Sequence, residues 1–259
     1  MNVATLSTLK RSHFISLMGQ SNAVGYNSLI PDTHLYNPQA GQYIFDNVAM
    51  QWQPLQQNKN NAGKPYTYLG YQGVELTLMQ LLKDYYGMDQ YLFKYAEGAT
   101  SLAVNLSAPP YDWNNLSANP YMYNGCVANF NEAIASFPAQ LPAMKVLIWM
   151  QGESDAANNI MANQYQSNFE SFIAALKNKW NLPNLKILQV LLSDTQTNID
   201  NTLKSIVNTA KVNLSIDGNK YVNTDGAETY GGFVDAIHYS TTGYADIARR
   251  IFNVLITML

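Results

Sequence analysis

A serine, a histidine and an aspartate stand where the chain leaves a short apolar run or is about to enter a helix: Ser21, His238 and Asp235. A serine hydroxyl attacks a carbonyl near neutral pH only if a base takes its proton and a third group fixes the tautomer of that base. His238 is the natural base, and Asp235, three residues earlier, can reach the ring nitrogen opposite the one facing the serine. Acyl transfer also needs donors aimed at the oxyanion, and a glycine lets a backbone N–H approach closely. The backbone N–H of Ser21, the N–H of Gly98 and the side-chain amide of Gln151 are the candidate donors.

These residues lie in four short blocks: Gly19-Gln20-Ser21-Asn22, Glu97-Gly98-Ala99-Thr100-Ser101, Gln151-Gly152-Glu153-Ser154-Asp155 and Asp235-Ala236-Ile237-His238. Apolar runs at 14–18, 91–95 and 146–150 precede the first three, and another lies at 185–192. Runs this short, and apolar on both alternating faces, read as strands covered from both sides. Helical periodicity fills 74–86, 126–137, 164–180, 201–212 and 244–259. Leu78, Leu81, Leu82 and Tyr85 form one apolar stripe, and Gly87 stands where a C-terminal cap belongs. Strands alternating with helices predict an α/β fold with a parallel sheet between helical layers, organised as one domain over 1–259. In such sheets ligands bind outside the carboxyl ends of the strands, where the first three blocks lie. The stretches 25–72 and 105–125 carry little periodicity but many aromatics, and read as long functional loops.

Composition narrows the class. The chain has 259 residues, 13% of them charged, and a formal net charge of −3. Its 15 Lys and Arg are scattered, so no basic stripe offers itself to a phosphate backbone, and nucleic acid is not expected as a partner. One cysteine and three histidines exclude an internal disulfide framework and leave little for a structural zinc site, so neither a metal nor another cofactor is expected. No apolar run approaches the length of a membrane span, and no membrane partner is expected. Residues 1–10 lack the pattern of a secretion leader, so a cytoplasmic, virion-associated or already processed chain is expected. The 29 Asn and 16 Gln outnumber the 33 charged side chains, which makes the surface neutral and hydrogen-bonding.

Taken together, the four blocks resemble those of the SGNH hydrolases, and more narrowly those of sialate O-acetylesterase-like proteins and family 6 carbohydrate esterases. The resemblance implies a flavodoxin-like three-layer α/β/α sandwich around a mostly parallel five-stranded sheet. It implies removal of O-acetyl groups from a carbohydrate, with Ser21, His238 and Asp235 as the triad and Ser21, Gly98 and Gln151 as the oxyanion hole. Gln20, Asn22 and Glu153 are expected in support, Glu153 as a buried brace for its loop. An acetylated carbohydrate is the implied partner. One departure is Ala99, where the family pattern usually has a second glycine. The nucleophile elbow of α/β-hydrolases does not fit, because Ala23 occupies the place of its second glycine. The competing expectations are a glycan-binding module without turnover and a short-chain lipase or thioesterase of the same superfamily.

Overall fold

The computed structural model describes residues 11–26, 37–61, 72–104, 112–136, 144–229 and 236–259. Seven strands form one sheet: β1 (Phe14–Gly19), β2 (Gln39–Asp46), β3 (Gln51–Leu55), β4 (Gln90–Ala96), β5 (Val146–Met150), β6 (Lys186–Val190) and β7 (Asn219–Val222). Their order is β3-β2-β4-β1-β5-β6-β7, and every pairing is parallel except that of β2 with β3. The fold is α/β, as the alternation predicts, but the sheet has seven strands where five are expected. The additional pairing comes from the stretch that reads as a loop: β2 and β3 form an antiparallel pair at the sheet edge, with an irregular register between Gln39 and Tyr43. Its polar, Gly41-interrupted sequence hides the strand period.

Side chains alternate across β1, so Ile15 and Leu17 enter one core and Phe14 and Met18 the other. Helices α2 (Val74–Tyr86) and α6 (Thr241–Leu255) cover the first face, packing Leu78, Met79 and Leu82 with Tyr244, Ile247 and Ile251. Helices α3 (Tyr121–Ala135), α4 (Asn159–Lys179) and α5 (Asn201–Val212) cover the second, which is rich in aromatics. There Trp113 and Trp149 meet edge to face, with ring centres 5.1 Å apart. No helix among the described residues is long and apolar enough to cross a membrane.

Two helices, α2 and α5, occupy the spans that their periodicity predicts. The other three begin earlier, and for α4 and α6 a side-chain cap, rather than an apolar stripe, sets the start. Asn158 accepts from the N–H groups of Ile160 and Met161 ahead of α4, and Ser240 accepts from Gly243 ahead of α6.

Buried charges on both faces fasten loops to the sheet. On the α2 side, Lys94 of β4 is fully buried and pairs with fully buried Glu75 at 2.9 Å. Its ammonium also donates to the carbonyls of Val24 and Asn61, while Glu75 accepts from Asn61 Nδ2 and the N–H of Gly73. On the α5 side, burial raises the carboxyl of Asp155 from 3.8 to about 7, although the Gln151 amide and the Leu102 N–H favour the anion. Burial likewise lowers Lys211 to about 8, against the attraction of Glu153 and Asp155.

Two predictions follow from these charges. Removing one partner of a buried pair strands the other, so Lys94→Met should cost about 3–5 kcal/mol in urea unfolding. Adding Glu75→Gln should recover part of the loss, since an amide oxygen still serves Asn61 and Gly73 without a buried charge. Folded Asp155 holds its proton more tightly than the unfolded chain does, so wild-type stability should fall as pH rises from 3.8 to about 7. Relative to Asp155→Asn, which cannot titrate, the fall should appear in unfolding free energies measured at a series of pH values and level off above that window.

Candidate active site

The turn out of β1 dictates where the serine lies. Gly19 has φ +148°, and a Cβ there would fall 1.9 Å from the carbonyl oxygen of Met150, so glycine is required. The N–H of Gln20 donates to that same carbonyl, and the N–H of Glu97 donates to the carbonyl of Gly19. Gly19 is in register with Ala96 on one side and Met150 on the other. The ends of β1, β4 and β5 are thus level, and the residues that follow them share one rim.

Immediately beyond this stitch runs α1 (Ser21–Val24), a single turn of helix closed by Gly25 in the left-handed conformation. Ser21 is its first residue, so its N–H has no intrahelical acceptor. Its hydroxyl lies 2.8 Å from Nε2 of His238, although 217 residues separate the two in the chain. Tyr26 leans over the imidazole with ring centres 4.7 Å apart. Asp235 lies outside the described residues, as do His34 and the loop tyrosines Tyr36, Tyr66, Tyr68, Tyr71 and Tyr111.

Asn22 fixes the backbone on both sides of His238. Its Nδ2 donates to the carbonyl of Ile237 at 3.2 Å, and its Oδ1 accepts from the N–H of Tyr239 at 3.4 Å and from Tyr244 Oη at 2.9 Å. The same Nδ2 also donates to Glu153 Oε1. Gln196 repeats the link, donating to Ile237 O at 2.8 Å and to Glu153 Oε1 at 3.3 Å. Glu153 is buried and anchors both amides. Gln196 and Tyr244 escape the sequence reading, though Gln196 lies just past the carboxyl end of β6, where the strand-end rule would have found it.

Ser21 and His238 line a cleft of about 480 Å³ together with Gln20, Gly98, Ala99 and Glu153. Gly98 closes against the serine: a Cβ on it would lie 3.8 Å from Ser21 Cβ. Ala99 holds φ +58°, a left-handed conformation in which the family's usual glycine would be unstrained.

Gln151 departs from expectation. Its side chain does not line the cleft but points inward, 1% exposed. Its Nε2 donates to Asp155 Oδ2 at 2.6 Å and to Thr100 O at 3.1 Å, while its Oε1 accepts from Tyr165 Oη at 3.1 Å. The buried carboxyl of Asp155 holds the amide inside the loop. Asp155 in turn accepts from the N–H of Leu102 at 3.1 Å, holding the segment after Gly98 against the 3-10 turn Asp155–Ala157.

A protein from Arabidopsis thaliana superposes with a TM-score of 0.71 at 19% identity, over 96% of this chain and 98% of its own. NanS gives 0.70 at 13% identity, over 96% and 98%. A carbohydrate acetylesterase from Xanthomonas citri gives 0.64 at 16% identity, over 95% of this chain and 56% of its own. Likeness at these identities establishes the fold. No curated protein sequence matches the chain. One family profile, described as carbohydrate esterase, sialic acid-specific acetylesterase, matches residues 11–257. By that match over nearly its whole length, the chain belongs to the sialic acid-specific acetylesterase family of carbohydrate esterases, a family of ester hydrolases.

Proposed function

We propose that this protein removes O-acetyl groups from a carbohydrate by a serine mechanism. The observation that carries the reading is the 2.8 Å contact between Ser21 Oγ and His238 Nε2 in a cleft at the level ends of three parallel strands. Ser21 Oγ bonds to the acetyl carbon while its proton passes to His238 Nε2. The carbonyl electron pair moves onto oxygen, facing the N–H groups of Ser21 and Gly98. When that pair returns, the bond to the sugar oxygen breaks and His238 gives its proton to the departing hydroxyl. Water then repeats the sequence on the acetyl-enzyme, releasing acetate and restoring Ser21. Asp235 is assigned to orient the imidazole.

Asn22 supports the mechanism by fixing distance. It sits beside the nucleophile in the sequence and bonds to the residues flanking the base, so serine and histidine are coupled through one amide. Glu153 supports Asn22 in the same way. The carbohydrate is supported by family membership, and an acetyl group by the family description.

Variants and alternative substrates test the reading. Ser21→Ala should lower hydrolysis of p-nitrophenyl acetate by at least about 10⁴-fold. His238→Ala should have a comparable effect, with little change in thermal midpoint because the imidazole lies at the cleft rather than in either core. Retention of wild-type turnover by either variant would remove the mechanism. Acyl-chain profiling should rank acetyl above butyryl and octanoyl esters, and acetate should be released from O-acetylated glycans. A preference for long chains would instead support the lipase or thioesterase alternative.

A further inference from the structure

We infer that the side-chain amide of Gln20, rather than that of Gln151, supplies the side-chain donor to the oxyanion, an inference that rests on the serine esterase reading. Three donors converge on Gln20 Oε1: the N–H of Ser154 at 3.2 Å, the N–H of Gly152 at 3.4 Å and Gln151 Nε2 at 3.3 Å. Two of these are backbone N–H groups, which can only donate, so the atom facing them is the amide oxygen and the orientation of the amide is fixed. The NH₂ branch must then point the other way. Gln20 Nε2 donates to none of the described residues, and it is not one of the buried polar atoms left unsatisfied. The residue is 3% exposed and lines the cleft beside Ser21, which leaves the NH₂ branch to face the substrate space.

Position and polarity then agree. Gln20 directly precedes the nucleophile, and its backbone N–H is tied to Met150 O, so its amide is carried on the same rigid stitch that sets Ser21. When Ser21 Oγ bonds to the acyl carbon, the carbonyl pair becomes an alkoxide, and a fixed neutral N–H in a cleft wall stabilises that charge without having to reorganise. Three acceptors, Asp155 Oδ2, Thr100 O and Gln20 Oε1, face the two N–H groups of Gln151, so none is left over for an oxyanion.

Gln20→Glu isolates this donor. A carboxylate keeps an oxygen for the three converging donors but turns a second oxygen towards the developing anion. For hydrolysis of p-nitrophenyl acetate, kcat should fall by about 10²–10³-fold with KM nearly unchanged, since the lost interaction exists only in the transition state. Affinity for a small alkylboronic acid, which forms a tetrahedral anion on the serine, should fall by a similar factor. Unchanged kcat, or a change in KM alone, would overturn the inference; so would a kcat loss with undiminished boronate affinity. If the variant does not fold, a crystal structure of the wild-type protein phosphonylated at Ser21 decides. The phosphonyl oxygen should lie about 3 Å from Gln20 Nε2, and an Nε2 turned away from it would refute the assignment. Ser21→Ala in the same assays separates the two levels: loss there with a fully active Gln20→Glu refutes the donor alone, whereas an active Ser21→Ala removes the esterase mechanism itself.

Discussion

The carbonyl of Met150 fills the space that a side chain at position 19 would need. That exclusion governs the rim. Because only glycine fits, β1 can turn sharply at its last residue while still hydrogen-bonding to both neighbours. Gln20 is pulled onto β5 through Met150 O, and β4 is pulled onto β1 through the Glu97 N–H. The candidate site residues of the first three blocks all follow these links within a few positions, so three strands deliver three loops to one place. His238 reaches the same place from the entry to α6, and there the positioning falls to side chains: Asn22 and Gln196 grip the carbonyl of Ile237.

The sequence was readable where one rule dominated. Helix α2 has an unbroken apolar stripe and a glycine stop, and its observed span matches the predicted one. Ser21, Gly98 and His238 stand out in the sequence because each sits at a strand end or helix entry, and the fold brings all three to one cleft. The pair of β2 and β3 was hidden because the first half of β2 and most of β3 are partly exposed on both faces, so neither strand carries a clean apolar alternation. Strand β7 is only four residues long, with three of them not fully buried, and left equally little signal. Gln151 shows a different limit. Two glutamines, at 20 and 151, stand at neighbouring strand ends, and the sequence does not say which amide faces outward. That choice is made by Asp155, a carboxylate buried four residues beyond Gln151, whose attraction for an amide N–H appears only once the chain is folded.

Amides, two of them anchored on the one carboxyl of Glu153, build the frame of the site. Asn22, Gln20, Gln151 and Gln196 are all at least nine-tenths buried, and each accepts and donates at once or is oriented to do so. A carboxylate in any of these positions could accept but not donate, and a lysine could donate but not accept; either would also bring a desolvation cost of several kcal/mol unless paired. The chain meets that cost where one group gathers several donors or acceptors, as at Lys94, Glu75 and Asp155. This agrees with a composition in which amides outnumber ionised side chains.

Gln20 shows why the distinction bears on chemistry. The loop after β5 presents N–H groups at 152 and 154 that need an acceptor, and a neighbouring carboxylate or amide would satisfy both. A carboxylate would do so by placing a fixed negative charge beside an oxygen that becomes negative during acyl transfer. An amide meets the loop with its oxygen and the cleft with its N–H, so the bond that closes the loop and the field that the reaction requires come from opposite ends of one side chain. The stability of the rim and its electrostatic bias therefore have a common origin, and a substitution at this position can preserve one while reversing the other.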